Sequence, residues 1–396
     1  MAAEQKPILI VGGGFGGLAA ALALGQRGIP VQVFEGAPEF GAIGYGIQFG
    51  PNIFHVFDRL GISDEVKSVG DEPSALLMLD ALNGDQVIRI PTGESFRERF
   101  NQQYLIVHRI DLHTVLLDAC KKIDAIKLEP EAMMTTYQDH GDHVSIELED
   151  GRSFTGSVLI GADGIGSTTR AQMIGDGDPL PNGYVAHRTI VPMETVTADV
   201  PRDVVVLWGG PGFHIVHYPL RHGTLFNIVA VFRSDNQAAR GDVEAYRAEL
   251  HETHKATQPE AKALIDMMDL ERRFVVGDRD PIRHWHQGRV GLLGDAAHPT
   301  LQSLAQGAGM AIEDGLHLAN LIHANGDDYE TTFTQFAKDR YLRTARVTLE
   351  SRYIWDFYHC DGIEREVRYQ MYKDQNEADR FQCVSWLYDG FGFIDR

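Results

Sequence analysis

The sequence predicts an α/β (α+β) fold in which a βαβ-type domain, assembled from separated stretches of chain, is interrupted by an antiparallel β-rich domain and followed by helices. Three observations predict it. PILIV (7–11), the small-residue stretch behind it and VQVFE (31–35) read as strand, helix and strand, with the continuous apolar runs of a buried parallel sheet. From Gly183 to Ser234 the texture changes to long β runs, YVAHRTIVPME, DVVVLWGG, FHIVHYPL and TLFNIVAVF, which suggest a separate antiparallel sheet. An apolar strand, VGLLGD (290–295), then returns to the first domain. The expected division is 1–73, 104–180 and 275–330 for the first domain, 74–103 and 181–274 for the β-rich domain, and 331–396 for the helical end.

The elements between these landmarks follow in order. GYGIQFGPN (44–52) reads as a glycine-rich loop ahead of a helix. ALLMLDALNGDQVIRIP (75–91) reads as two alternating strands around Asn83-Gly84, a dipeptide suited to the positive φ angles of a tight hairpin. YLIVHR (104–109) is a strand, and Leu112, Val115, Leu116 and Ala119 place one apolar helical face directly after it. HVSIELEDGRSFTGSVLIGADGIGS (143–167) is a hairpin across Asp150-Gly151 whose last strand runs into a second glycine turn. Helical segments at about 242–254 and 259–269 are expected to cover the β-rich domain. From Tyr329 the chain is mostly helical, with Arg340, Arg343 and Arg346 on one face.

Bulk composition limits the function classes. The chain's 396 residues exceed the roughly 250–300 at which a single core stops growing, so more than one domain is expected. A formal net charge of −20 argues against a nucleic-acid footprint or a polybasic membrane face, and it requires local devices to hold any anionic ligand. Cys120, Cys360 and Cys383 are scattered and odd in number. They suit neither a disulfide framework nor a zinc knuckle, and a reducing cytoplasm is the expected compartment. ILIVGGGFGGLAAALALG (8–25) is uncharged over eighteen residues, but five glycines by Gly17 make strand, turn and helix a better reading than a transmembrane or export segment.

Gly12, Gly14 and Gly17 form G-x-G-x-x-G between strand and helix, and Glu35 ends the next strand eighteen residues beyond Gly17. That geometry brings backbone N–H groups and a helix N-terminus to a pyrophosphate and a carboxylate to ribose hydroxyls. In this frame a Rossmann-like dinucleotide site outweighs the plainer reading of glycines that ease helix–sheet packing. In GADGIGSTTR (161–170), Asp163 is by itself equally a helix cap. Asp295, after VGLL, is either an N-cap or a ligand group at a strand tip. The stretch GDAAHPTLQSLAQGAGM (294–310), poor in charge and rich in small residues, reads as backbone that something else must approach closely.

These three motifs, in this order and at these separations, resemble the signatures of the class A FAD-dependent aromatic hydroxylases, over about Ile8 to Arg346. Within that family the resemblance is strongest to the branch that 6-hydroxylates 3-hydroxybenzoate, then to salicylate and 6-hydroxynicotinate monooxygenases. It implies a GR2-type FAD-binding domain with non-covalent FAD. Gly12, Gly14, Gly17 and Glu35 would bind the ADP half, Asp163 would be shared with the pyridine nucleotide, and Asp295 would take ribityl hydroxyls. Arg109, otherwise readable as a surface arginine, and Gln48 would lie beside the flavin. Amides at Gly307, Ala308 and Gly309 would meet its pyrimidine end, where the reduced ring is negative. Pro299 would wall the oxygen site. NADH, with NADPH left open, and O2 would be co-substrates, and a homodimer is left open.

Substrate choice rests on fewer residues. Removing a phenol proton enriches the ortho and para carbons toward an electrophile, so a base near the hydroxyl is expected, and histidine suits the task. FHIVHYPL (213–220) alternates, so His214, Val216 and Tyr218 share one face. His214 and Tyr218 then stand about 13 Å apart at ~3.3 Å per residue. By itself a strand histidine is more often a packed, half-buried residue. The resemblance makes His214 the base, Gln302 its partner at the phenol end, and Tyr104, Tyr218 and Ile47 the substrate contacts. It implies oxygen transfer from a flavin C4a-hydroperoxide to the carbon para to the 3-hydroxyl, turning 3-hydroxybenzoate into 2,5-dihydroxybenzoate (gentisate). Tyr45 and PTLQSLAQ depart from relatives and leave a substituted or heterocyclic phenol open. The alternatives are salicylate or 6-hydroxynicotinate hydroxylation, or an FAD-binding redox or sensor protein that does not hydroxylate.

Other motifs carry less. In LHETH (250–254) the histidines are three apart, whereas a zincin helix needs four. His284 and His286 share a strand face without a third ligand, so no metal site is expected. No G-x-S-x-G elbow supports a hydrolase. Tyr353, Trp355, Phe357 and Tyr358 read as core packing ahead of a partner surface.

Overall fold

The computed structural model describes residues 6–41, 44–234 and 243–389. Its first sheet has six strands, with Ile8–Val11 fully buried near the middle. Val31–Phe34 pairs parallel on one side of it, followed by Ile126–Glu129. Val158–Gly161 pairs parallel on the other side, followed by Val290–Leu292, with His286–Gln287 antiparallel at the edge. The chain thus leaves Ile8–Val11 to one side and comes back on the other. The carboxyl ends of these strands flank a topological switch point, where open α/β sheets form their ligand crevice.

The small-residue stretch has a packing cause. Helix Phe15–Gly25 is buried along its whole length and crosses helix Gly307–Asn325. A Cβ on Gly315 would lie 2.6 Å from the Ala20 backbone nitrogen, and one on Gly16 would lie 2.5 Å from the Leu293 side chain. Close-packed interiors leave no room for either, so the two helices can approach this closely only on glycine and alanine.

The second sheet has seven strands, in the order Phe274–Asp278, Leu180–Pro192, Leu225–Arg233, Phe213–Leu220, Val205–Gly210, Ala75–Asp80 and Gln86–Pro91. The 75–91 hairpin joins it as expected. One pairing departs from an antiparallel sheet: Val205–Gly210 runs parallel to Ala75–Asp80, because the chain returns to it from a distant crossover. Helices Val243–Thr253 and Pro259–Asp266 bury Tyr246, Leu250 and Leu264 against Ile215, Phe226 and Phe232. That contact fixes the facing of FHIVHYPL, since side chains alternate along a strand. Phe213, Ile215 and His217 point to the helices; His214, Val216 and Tyr218 point away from them.

The glycine-rich loop expected at 44–52 contains a strand instead. Gly46–Phe49 pairs antiparallel with Leu105–His108. Its glycines mask the short alternation of GIQF, and Gly46 is required by packing rather than by a turn, since a Cβ there would lie 2.3 Å from the Tyr218 ring.

The C-terminal region is three helices, Tyr329–Tyr358, Gly362–Lys373 and Glu377–Tyr388. Asp328 caps the first through Thr331 N–H, and Asn376 caps the last in a reciprocal box with Asp379. Trp355 is buried while Tyr353 is 60% exposed, so the aromatic run is divided between core and surface. Arg365 and Arg368 reach Asp80 at 2.5 and 2.6 Å and tie the region to the second sheet. Among the described residues no helix is long and apolar enough to cross a membrane, and no group of three His, Cys, Asp or Glu is placed to hold a metal ion.

Two arginines of the expected face, Arg340 and Arg343, form a buried anchor, while Arg346 is exposed and pairs with Glu350. Arg340, with no exposed surface, pairs with Asp314 at 2.6 Å and Glu313 at 2.9 Å, and Arg343 pairs with Glu313 at 2.9 Å. Burial pushes the Asp314 carboxyl up, but Arg340 and His298 outweigh it and hold the group at about 2. Its stabilisation is therefore complete above the ordinary value of 3.8 and is lost as pH falls through about 2. Removing one partner of such a pair costs about 3–5 kcal/mol. Arg340→Met is expected to lower stability by that amount in denaturant unfolding at pH 7, and to move the onset of acid unfolding to higher pH. Unfolding curves identical to those of the unaltered protein would contradict the anchor.

Candidate active site and cofactor cleft

The first glycine turn sits at the switch point. Gly12 has φ +109°, and a Cβ there would lie 2.2 Å from the Ala162 carbonyl oxygen. A Cβ on Gly17 would lie 2.0 Å from the Gly12 oxygen. Gly14 is different: no protein atom lies within 4 Å of the position its Cβ would take. It begins helix Phe15–Gly25, which has no side-chain cap and no acidic residue in its first turn. Glu35 accepts N–H bonds of 2.9 Å from Gly13 and from Ala37, which fixes the carboxylate at its strand end. A bare helix N-terminus with an acid beside it fits the pyrophosphate and ribose of a dinucleotide.

The second and third turns lock onto each other. Asp163 accepts from the Ser167 hydroxyl (2.5 Å), the Thr169 N–H (2.9 Å) and the Thr169 hydroxyl (3.0 Å) and so braces the start of helix Thr168–Met173, whose N-cap is Ser167 rather than Asp163. Arg170 is buried, pairs with Asp176 and donates to the carbonyls of Ala296 (3.0 Å) and Ala297 (2.9 Å). It staples GADGIGSTTR to GDAAHP, a role not foreseen from the sequence. In the third turn, Asp314 accepts from the Gly294 N–H at 3.0 Å and meets His298 Nε2 at 2.6 Å. Helix Gly307–Asn325 then starts without a side-chain cap, and no protein atom lies within 4 Å of a Cβ on Gly309. At an uncapped helix start, a glycine with open space at its Cβ position leaves the backbone amides accessible to a bound group.

Between this helix start and the second sheet lies a cavity of about 460 Å³. Ile47, Gln48, Tyr104, Arg109, Asp295 and Gln302 line it, as do His214, Tyr218, Gly307 and Ala308. Pro299 is buried and does not line it. Arg109 lies over the Phe15 ring at 4.9 Å. Burial and then Arg188 lower its pKa, while Asp295 opposes them. The surrounding protein raises the Asp295 carboxyl by desolvation, with His298 and Arg109 pulling it down, even though the side chain opens onto the cavity.

Sheet register explains which side chains face the cavity. Val216 pairs with Val229, and Val229 pairs with Arg188. Directly paired residues share a face, so Arg188 stands in the row of Val216, between the rows of His214 and Tyr218. Arg188 was not singled out from the sequence. The readable signal is a charge on the same strand face as Ala186 and Ile190. Its guanidinium lies over Tyr45 (5.8 Å) and Phe274 (5.9 Å) and donates to Gln302 Oε1 at 2.7 Å. Among the described residues it has no carboxylate partner.

His214 is 2% exposed, and its Nδ1 lies 2.7 Å from His359 Nε2. Burial, and then His359, hold it well below 6.5, so it is neutral at physiological pH. Gln302, expected beside His214, gives its carbonyl to Arg188 instead, and the ring partner of His214 is His359. The Tyr104 hydroxyl donates to Gln48 Oε1 at 2.7 Å. Burial raises Tyr104 well above 10 and takes Tyr218 to about 12, so both keep their hydroxyl protons.

A switch-point cleft with two bare helix N-termini, beside a cavity lined by a neutral histidine and an arginine, fits a dinucleotide-dependent oxidoreductase with a small-molecule site. Residues 5–350 match the FAD binding domain family. The chain is 41% identical over 383 residues to 3-hydroxybenzoate 6-hydroxylase of Polaromonas naphthalenivorans, covering 96% of this chain and 95% of that one. It is 38% identical to 3-hydroxybenzoate 6-hydroxylase 1 of Aquipseudomonas alcaligenes, covering 96% and 97%. Its fold matches Klebsiella pneumoniae HpxO complexed with FAD and uric acid at a TM-score of 0.85 and 25% identity, over 97% of this chain and 96% of that one. The chain belongs to the class A FAD-dependent aromatic hydroxylases, and FAD is its cofactor.

Gly14→Ala isolates the cradle, because the new methyl meets no protein atom. Stability of the FAD-free protein should stay within about 1 kcal/mol. FAD affinity, read by fluorescence quenching, should fall at least about tenfold. Unchanged affinity would show that the cofactor stays clear of this turn.

Proposed function

We propose that this enzyme hydroxylates 3-hydroxybenzoate para to its hydroxyl, giving 2,5-dihydroxybenzoate, with NADH as reductant and O2 as oxidant. One observation carries the reading. A buried neutral histidine and an arginine without a carboxylate partner face the same cavity. The substrate asks for both, since its phenol proton must be removed and its carboxylate charge must be met. The two relatives named for this reaction support the choice of phenol.

FAD, when bound and reduced, supplies the electrophilic oxygen. The protein's own residues do the rest. His214 Nδ1 is taken by His359, which leaves Nε2 to accept the phenol proton. Arg188 receives the carboxylate, and Gln302, whose carbonyl it already holds, keeps an amide N–H for the phenolate oxygen. Tyr104 and Tyr218 keep their protons, so neither adds a negative charge beside the bound ring. Leu76, Val205, Val216 and Val229 supply apolar walls that strengthen each of these contacts by excluding water.

Two variants test the reading. His214→Ala should retain FAD and substrate binding, lose hydroxylation, and divert NADH consumption to hydrogen peroxide; full coupling, scored by product chromatography, would refute the base. Arg188→Met should raise KM for 3-hydroxybenzoate by roughly 30- to 100-fold, the worth of one charge-assisted contact, and leave binding of uncharged 3-hydroxybenzyl alcohol nearly unaltered. An equal loss for both ligands would remove the carboxylate assignment. An unaltered enzyme whose NADH oxidation ignores 3-hydroxybenzoate would overturn the substrate itself, and CO2 release would point to salicylate.

A further inference from the structure

The C-terminal region delivers one group, His359, to the histidine of the cavity. His359 ends helix Tyr329–Tyr358 as its C-cap residue. Its ring and that of His214 are close to parallel, 19° apart, with centroids 5.0 Å apart and Nε2 2.7 Å from the His214 Nδ1. Those values describe two imidazoles meeting edge to edge, with one N–H aimed at one lone pair. Tyr184 stacks on one face of His359 at 4.7 Å, and Trp355 meets both histidines edge-on, at 5.2 Å from His214 and 5.0 Å from His359. Neither ring can swing away. His359 Nδ1 is buried and has no hydrogen-bond partner among the described residues.

A bond between two neutral imidazoles holds one proton, and the direction of that bond decides what His214 shows to the cavity. If His359 donates, His214 carries its proton on Nε2 and can only donate to a phenol. If His214 donates, Nε2 is a bare lone pair and can accept the phenol proton. We infer that His359 is the positioning residue that accepts from His214 Nδ1, sets the base-competent tautomer, and shares the positive charge formed when the phenol is deprotonated. This deepens the proposed reaction and rests on His214 being its base.

The proton balance is closed. The phenol O–H breaks and a His214 Nε2–H forms, leaving phenolate and imidazolium. The imidazolium keeps its Nδ1–H on the lone pair of His359 Nε2, or passes that proton across so that the charge sits on His359. The second position is favoured electrostatically, because a helix C-terminus carries partial negative charge. The ionisable groups packed around the pair are Tyr184 from the second sheet, Tyr358 beside His214, and Arg368. Arg233 and Asp356 act on Tyr184. Arg368 donates to the carbonyls of Phe357 and Tyr358 but is neutralised by Asp80.

The experiment follows the phenol–phenolate balance of 3-hydroxybenzoate bound to the FAD-loaded enzyme, by ultraviolet difference spectra across pH, in His359→Leu, His359→Gln and His214→Ala. In His359→Leu the midpoint for phenolate formation should rise by about one pH unit, equivalent to about tenfold, with FAD affinity unchanged and less product formed per NADH consumed. His359→Gln, whose amide oxygen can accept from His214 Nδ1, should restore most of the shift; a purely space-filling role would leave Gln no better than Leu. A native midpoint in His359→Leu, or equal displacement in both His359 variants, overturns the inference. Should His359→Leu fail to fold, His359→Gln decides alone: a midpoint near native supports the pair, and one displaced as far as in His214→Ala refutes it. If His214→Ala itself leaves the midpoint in place, the reading of the base fails, and that outcome is separate from the failure of His359 only.

Discussion

One buried carboxylate holds the cleft together. Asp314 takes the Gly294 N–H, His298 and Arg340 at once, on a helix whose first turn lines the cavity. Gly294 ends the strand that returns the chain to the first sheet, so this side chain sets where GDAAHP lies relative to the start of helix Gly307–Asn325. Asn52 adds a second brace, donating to both Gln306 and Glu313. Burying Asp314, Glu313, Arg340 and Arg343 is expensive, and well-packed apolar residues would often be as stable. What the charges add is geometry. A carboxylate with three directional partners leaves the loop one position, and the flat cradle at Gly307 to Gly309 depends on that position.

The same residues answer to both a structural and a functional reading, and the two do not compete. Asp163 braces the start of the short helix through Thr169, and it follows Ala162, whose carbonyl a Cβ on Gly12 would strike. Gly12 and Gly17 are demanded by the protein's own atoms, whereas Gly14 and Gly309 have no such neighbour. Gly14 and Gly309 stand at two uncapped helix starts, which leaves the backbone there open to a bound group.

Much of this is legible in the sequence, for a reason visible in particular elements. The three glycine turns are local: each is a strand, a turn and a helix start within about thirty residues, and propensity and spacing report them directly. The alternation of FHIVHYPL is local too, and it puts His214 and Tyr218 on one face. GYGIQFG misleads, because a glycine needed for the Tyr218 ring looks like a glycine needed for a turn. Arg188 and His359 are out of reach for a different reason. Arg188 enters the cavity through the pairing of three strands, and His359 meets a partner 145 residues away. Neither relation has a signature within one element.

The charge pattern of the cavity fits an anionic aromatic acid better than a carboxylate–histidine pair would. A carboxylate behind His214 would hold it protonated before any phenol arrived, and would place a second negative charge near the incoming ring. A neutral imidazole behind it leaves His214 neutral and adds no repulsion. The protein's net charge of −20 acts against anions, but screening confines that field to about 8 Å at physiological ionic strength. Inside the cavity the local terms govern, and there Arg188 presents a positive charge that no carboxylate of the described chain cancels. An acidic enzyme can thus take an acidic substrate, provided that a cation meets the carboxylate and a neutral base meets the hydroxyl.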